Sequence, residues 1–309
     1  MRVLVTGGTG FIGRHLCAEL DERGHDVTAL ARSPDASDLP AGVSVVQGDV
    51  TDRASLDFEG QDVVVNLVAL SPLFQPTGDT THESVHLDGT RNVVSEATDA
   101  GVERLVQMSA LGADPNGPTE YIRAKGKAEA VVRESDLDWT IVRPSVVFGD
   151  GGEFVEFTKK LTPPYLAPLP GGGRTRFQPI HVEDVASILA DVVEGTSTGN
   201  RDASSSDGAV EDERHVGETY EIGGPEVLTM AEVAKLAHRT DGRSVTVVPI
   251  PMALAKLGSA AIDPVPFIPF GSDQVRSLEF DNTTRENDLG AFDLSEDDLL
   301  TLEAYLNRG

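Results

Sequence analysis

The eight residues TGGTGFIG at positions 6–13 restrict what this chain can fold into more than any other segment. Before them runs the apolar stretch RVLVT (2–6), and after them an amphipathic stretch continues to about residue 23. Gly7, Gly10 and Gly13 satisfy G-x-x-G-x-x-G, and Gly8, Gly10 and Gly13 satisfy G-x-G-x-x-G. Glycines at these spacings permit a sharp strand-to-helix turn, let the backbone approach a pyrophosphate, and bring the helix close against the strand. The first helical turn then offers unpaired N–H groups and the positive dipole end to an anion. Gly7, Thr9, Gly10, Phe11 and Ile12 are therefore expected to hold the phosphates of a dinucleotide.

The rest of the first half follows the same plan. DVTALA (26–31), VSVVQ (43–47), DVVVNLVA (62–69), RLVQMS (104–109) and WTIVRP (139–144) are nearly continuous apolar runs, as strands buried on both faces require. Helical stretches lie between them near 11–23, 80–100 and 119–134, and Val85, Val93, Val94 and Ala97 form one apolar stripe. Strand and helix alternating in this way predict an α/β fold, a doubly wound parallel sheet. Residues 1–145 are expected to form its dinucleotide-binding core, completed by 181–224, with a helix over 182–194 and a strand at TYEIGG (219–224). The Gly/Pro-rich 146–180 and the segment 225–309 are expected to form a smaller C-terminal substrate lobe. Thr229 is placed to cap a helix running to Ala237, and a closing helix is expected near 295–307. The Ser/Asp/Glu-rich 200–214 has almost no apolar content and reads as a disordered surface loop.

The end of the second strand carries the nucleotide preference. An acidic residue there binds the ribose 2′-OH of NAD, whereas a basic one accommodates the 2′-phosphate of NADP. Here Arg32 follows the strand and Asp26 lies at its opposite end, so NADP(H) is preferred, with NAD(H) as the alternative. Asp49, after the third strand, is placed to accept from the adenine amino group. A cap for residues 51–57 is the competing role, which Thr51 or Asp52 could also fill.

Tyr121 and Lys125 are spaced i, i+4 and project from one helix face. A Tyr hydroxyl ordinarily titrates near 10, and a neighbouring ammonium favours its phenolate. Ser109, at a strand end twelve residues earlier, would point into the same crevice and polarise a carbonyl. Ser109, Tyr121 and Lys125 are thus candidate catalytic residues for hydride transfer at a carbon bearing oxygen, with Lys125 also placed to bond the nicotinamide ribose.

Composition limits the partners. The 309 residues carry 51 Asp+Glu against 25 Lys+Arg, a net charge of −26, which argues against DNA or RNA. Only six of the basic residues are Lys, and 28 of the acidic ones are Asp. Such a surface suits concentrated salt, which screens its self-repulsion, so the chain reads as halophilic. One cysteine, Cys17, allows no internal disulfide, and seven His without Cys partners make no metal site; His82 and His86 read as a solvated pair. No leader or membrane-spanning run is visible, so the cytoplasm is expected. The apolar 251–271 could roof the substrate pocket or lie on a membrane surface or a quinone-handling partner.

TGGTGFIG, GDVTD, RLVQMSALGA, YIRAK, IVRPSVVFG and QPIHVEDVA stand here in an order that resembles the short-chain dehydrogenase/reductase superfamily, in its extended and atypical branches. HLDGTRNVV and ETYEIGGPEVLTMAEVAKLA look like the branch containing the nucleotide-binding accessory subunit of respiratory complex I and its prokaryotic relatives. The resemblance implies a Rossmann core with bound NADP(H), its nucleotide bordered by Val50, Ala69, Pro144 and Val146. It also implies that residues 181–184 return the chain to the core. Tyr121 precedes Ile-Arg-Ala-Lys rather than G-x-S-K, and Phe148 stands where sugar-nucleotide epimerases usually have Tyr. The expected activity is therefore an NADP(H)-dependent oxidoreductase acting on a carbonyl or hydroxyl of a small molecule. A non-catalytic NADPH-binding protein docked on a respiratory or membrane complex is the first alternative, and a nucleotide-sugar epimerase the second.

Overall fold

In a computed structural model, the structure describes residues 1–76, 78–163, 165–195, 215–262 and 271–308. The segment 200–214, expected to be a disordered loop, lies outside them, as does 263–270 of the apolar stretch. Six strands of the first half are β1 (Arg2–Thr6), β2 (Asp26–Ala31), β3 (Ser44–Gln47), β4 (Val63–Asn66), β5 (Arg104–Met108) and β6 (Asp138–Pro144). The later strands are β7 (Val147–Phe148), β8 (Tyr165–Pro170), β9 (Arg176–Phe177), β10 (Ile180–His181), β11 (Glu218–Ile222), β12 (Leu228–Thr229) and β13 (Val245–Ile250). A seven-stranded parallel sheet runs β11-β6-β5-β4-β1-β2-β3. The order reverses between β1 and β4, the place where a doubly wound sheet opens a crevice at its carboxyl edge.

The period of two within each strand sends alternate residues into two separate layers. Val3 and Val5 of β1, Val63 and Val65 of β4, and Val106 of β5 meet Leu16 and Leu20 of α1 (Phe11–Glu22) and Ile188 and Leu189 of α5 (Val182–Glu194). Leu4, Val64 and Leu105 face the other way, onto Val93 and Ala97 of α2 (Gly89–Asp99) and Val132 of α3 (Glu120–Arg133). Continuous apolar runs are what two covered faces demand. The third strand departs from that expectation: Ser44, Val46 and Gln47 are exposed because β3 is an edge strand.

The helix expected over 51–57 is only a short 3-10 turn, Arg53–Ser55, capped by Asp52. The closing helix near 295–307 is divided into a 3-10 turn at Glu296–Asp298 and a short helix, Leu302–Leu306. Before α2 the chain makes a wide π turn over Glu83–Asp88.

Beside the sheet, α4 (Glu153–Leu161) and α6 (Met230–Arg239) pack with the β8–β13 pair around Ala167, Leu169, Met230, Ala234 and Val245. Thr229 and Glu232 form a reciprocal capping box at the start of α6. Two further helices, α7 (Met252–Ile262) and α8 (Ser272–Ser277), precede the last one, α9 (Leu302–Leu306). Among the described residues, no helix is long and apolar enough to cross a membrane.

Candidate functional site

The glycine loop opens a crevice of about 950 Å³ along the carboxyl edge of the sheet. Gly7 has a φ of +76°, a conformation that disfavours any side chain, and its N–H donates to the Leu30 carbonyl across β2. A Cβ on Gly8 would lie 2.6 Å from that of Ala29, and one on Gly13 would collide with the Gly7 carbonyl oxygen. These glycines pack the turn, the strand and α1 at backbone contact. Helix α1 starts at Phe11 with no side-chain cap and no acidic residue in its first turn, so its amides face the crevice mouth free to meet an anion. The cradle therefore fits a dinucleotide pyrophosphate.

Every residue expected to touch the nucleotide borders this one crevice. Gly7, Thr9, Gly10, Phe11 and Ile12 form one end. Arg32, Asp49 and Val50 stand on one flank, and Ala69, Lys125, Pro144 and Val146 continue the wall inward. Arg32 is exposed at the rim beside Ser33. Asp49 lines the crevice, and its Oδ1 accepts from the Thr51 N–H at 2.9 Å and the Thr51 hydroxyl at 2.8 Å; the competing cap role falls to Asp52 instead.

Ser109, Tyr121 and Lys125 line the inner part of the same crevice. The Ser109 hydroxyl is buried with no hydrogen-bond partner, a group awaiting a ligand atom. Lys125 is 3% exposed and its Nζ donates to the Met108 carbonyl at 3.0 Å. The same carbonyl accepts from Gln107, which in turn accepts from Asn66, itself bonded to Thr6, so a buried polar chain runs beneath the crevice. Burial pushes the Lys125 ammonium down from 10.5 to about 8, with Glu129 opposing the shift. Tyr121 differs from the expectation: burial raises its phenol above the ordinary value. Engaged on a carbonyl and itself desolvated, the ammonium does not offset that burial. The phenol is thus a proton donor as it stands.

Helix α3 carries both residues and is clamped to the sheet. Glu129, its side chain 1% exposed, accepts from Arg143 of β6 at 2.8 and 2.7 Å and from Arg133 at 3.0 Å. Glu221 of β11 takes the remaining face of Arg143 at 3.2 Å.

The solvated reading of His82 and His86 is wrong. Both are 2% exposed, stacked with centroids 5.6 Å apart, and each meets the Tyr121 ring edge-on at 5.5 and 5.3 Å. The π turn and the approach of α3 cover the face that an isolated helical wheel assigns to solvent. Burial lowers the proton affinity of both rings. His86 Nε2 accepts from the Leu70 N–H, so its proton sits on Nδ1, which has no partner. The i, i+4 spacing was the signal for this pair. Among the described residues, no His, Cys, Asp and Glu cluster to hold a metal.

A second space of about 170 Å³ adjoins the crevice across Tyr121, Ala110 and Phe154. Its outer wall comes from α8 and the residues after it, Leu278, Phe280 and Asn282, which no motif in the sequence announces.

Comparison with known proteins places this geometry. A family model described as NAD(P)H-binding matches residues 7–195. The chain is 28% identical over 315 residues to the mitochondrial NADH dehydrogenase [ubiquinone] 1 alpha subcomplex subunit 9 of Arabidopsis thaliana, covering 94% of this chain and 72% of that one. It is 33% identical over 227 residues to a 3-diazoavenalumate denitrifying reductase of Streptomyces, covering 64% and 74%. A nucleoside-diphosphate-sugar epimerase of Staphylococcus aureus superposes with a TM-score of 0.71 over 99% of both chains at 18% identity, a likeness of fold alone. The chain belongs to the NAD(P)H-binding family of short-chain dehydrogenase/reductase-like proteins.

Proposed function

We propose that this protein is an NADP(H)-dependent reductase of a small carbonyl compound. One observation carries the reading: a protonated phenol, Tyr121, and an unpartnered hydroxyl, Ser109, share the wall of the crevice that the glycine loop heads. Gly7, Thr9, Gly10, Phe11 and Ile12 would hold the pyrophosphate, Asp49 and Val50 the adenosine side, and Ala69, Pro144 and Val146 the nicotinamide side. Arg32 at the end of β2 supports NADP(H) over NAD(H), because no carboxylate occupies that position. When bound, the dihydronicotinamide supplies a hydride, so that carbonyl, NADPH and a proton become alcohol and NADP⁺.

Ser109 donates its free O–H to the carbonyl oxygen and orients it. Tyr121, protonated at neutral pH, delivers the proton to that oxygen as the alkoxide forms. Lys125, one turn along α3 from Tyr121, keeps its proton at neutral pH and restrains the Met108 carbonyl. The experiment is Tyr121→Phe. NADPH affinity should be unchanged while NADPH oxidation over a panel of aldehydes, ketones and quinones falls by about 10²-fold or more. Unchanged turnover refutes the assignment.

The likeness to the complex I subunit favours a second reading, a nucleotide-holding accessory protein at a respiratory or membrane complex. That reading predicts NADPH-dependent thermal stabilisation, no turnover, and recovery with membranes. Under either reading we place the protein in a salt-rich cytoplasm.

A further inference from the structure

The space beyond Tyr121 has a chemistry of its own. Phe154 and Phe157 of α4, Phe177 of β9, Met230 of α6, Ile122 of α3 and Leu278 wall it. The polar side chains around it are already engaged. Asn282 accepts from the Ser145 hydroxyl at 2.9 Å and the Val146 N–H at 2.8 Å. Gln274 accepts from the Gly271 N–H and donates to the Pro72 carbonyl. Asp273 accepts from the Glu120 N–H at 2.8 Å and from Arg276 at 3.0 Å. Thr119 caps Ile122. Among the described residues, two buried polar atoms without a partner lie at the entrance: the Ser109 hydroxyl in the crevice wall and His82 Nδ1 beside Tyr121.

Charge and size narrow the ligand further. Among the described residues that line the two spaces, the only cations are Arg32, at the nucleotide rim, and Lys125, whose Nζ is on Met108. A second diphosphate would find no counter-charge in the inner space, and its desolvation would go uncompensated. The volume, about 170 Å³, compares with the ~150 Å³ apolar cavity that holds one benzene ring.

We propose that the substrate is a monocyclic aryl or similarly short alkyl carbonyl compound, its apolar body filling this space and its oxygen meeting Ser109 and Tyr121 at the entrance. The proposal rests on the reductase reading and names its substrate class. Six-membered aromatic aldehydes suit it; nucleotide sugars do not.

The test uses the full chain in high salt with benzaldehyde, hexanal, 2-naphthaldehyde and UDP-glucose, after NADPH binding has been measured by fluorescence titration. Expected are NADPH oxidation with benzaldehyde and hexanal, and saturation-transfer NMR signals from benzyl alcohol in the presence of NADP⁺. Leu278→Trp fills the space from its outer wall and should raise the benzaldehyde KM at least tenfold with NADPH affinity unchanged. Phe157→Ala enlarges it and should shift the ratio of kcat/KM toward 2-naphthaldehyde at least tenfold. Bound NADPH with no turnover of any carbonyl in the wider panel is the accessory-protein outcome and overturns the reductase reading; turnover of other carbonyls with neither turnover of benzaldehyde nor an NMR signal from benzyl alcohol overturns the substrate class alone. So does an unchanged benzaldehyde KM in Leu278→Trp, or competition by UDP-glucose. Absence of NADPH binding instead overturns the reductase reading beneath it.

Discussion

Replacing Lys125 with Met should make the protein more stable and less active, and the size of the gain should depend on pH. The ammonium is almost fully buried and its proton affinity falls from 10.5 to about 8. An unfolded chain keeps that proton to a higher pH than the fold does, so below the folded value the native state carries the whole burden of a buried charge. At about pH 7 the difference corresponds to about 3 kcal/mol, and near pH 9.5 to about 1 kcal/mol. Met fills similar volume and abolishes the term, but the Met108 carbonyl then loses one of two donors, an offset of about 1 kcal/mol. The net gain is thus about 2 kcal/mol at neutrality, or a melting rise of about 4 °C, and close to zero near pH 9.5. Equilibrium denaturation at both pH values, with NADPH oxidation measured alongside, checks it. A destabilised variant, or a difference that does not change with pH, would refute the claim that a desolvated ammonium sits in this site.

Three further outcomes are expected. Gly13→Ala puts a Cβ against the Gly7 carbonyl and 2.7 Å from the Gly8 Cα, so NADPH affinity measured by fluorescence should fall about 100-fold, or about 3 kcal/mol. Glu129→Gln leaves Arg143 and Arg133 without their shared carboxylate and should cost about 3 kcal/mol in urea unfolding, releasing α3 from the sheet. Raising KCl from about 0.1 M to 1 M shortens the screening length from about 10 Å to 3 Å, so with a net charge of −26 the melting temperature should climb by several degrees.

The central sheet was legible because its strands obey a single local rule. Residues such as Leu4 and Val5 are both apolar since each faces a helical layer, and the glycine loop shows itself by a spacing contained in positions 7–13. Thr229 announced its helix for the same reason, a cap being a matter of four residues. The inner space was not legible. Its wall draws on Ile122, Phe157, Phe177, Met230 and Leu278, each ordinary in its own neighbourhood and joined only by tertiary packing. Two-residue strands such as β9 and β12 carry no period to read. The histidine pair differs: its i, i+4 spacing is legible, but the cover that α3 lays over that face is tertiary and leaves no local signal.

The wide turn over Glu83–Asp88 closes each hydrogen-bonded ring with one more residue than the helix it leads into. Excising a single residue there would restore ordinary winding: the turn of about 100° lost with the residue is regained by the tighter winding of the five that remain, so the chain on either side keeps its phase. A cut at Ser84 would leave His82 and His86 three places apart on an ordinary helix, still on the face that meets Tyr121. The surplus residue is thus absorbed where it stands, and a codon lost there shortens the segment without turning either imidazole away from the phenol.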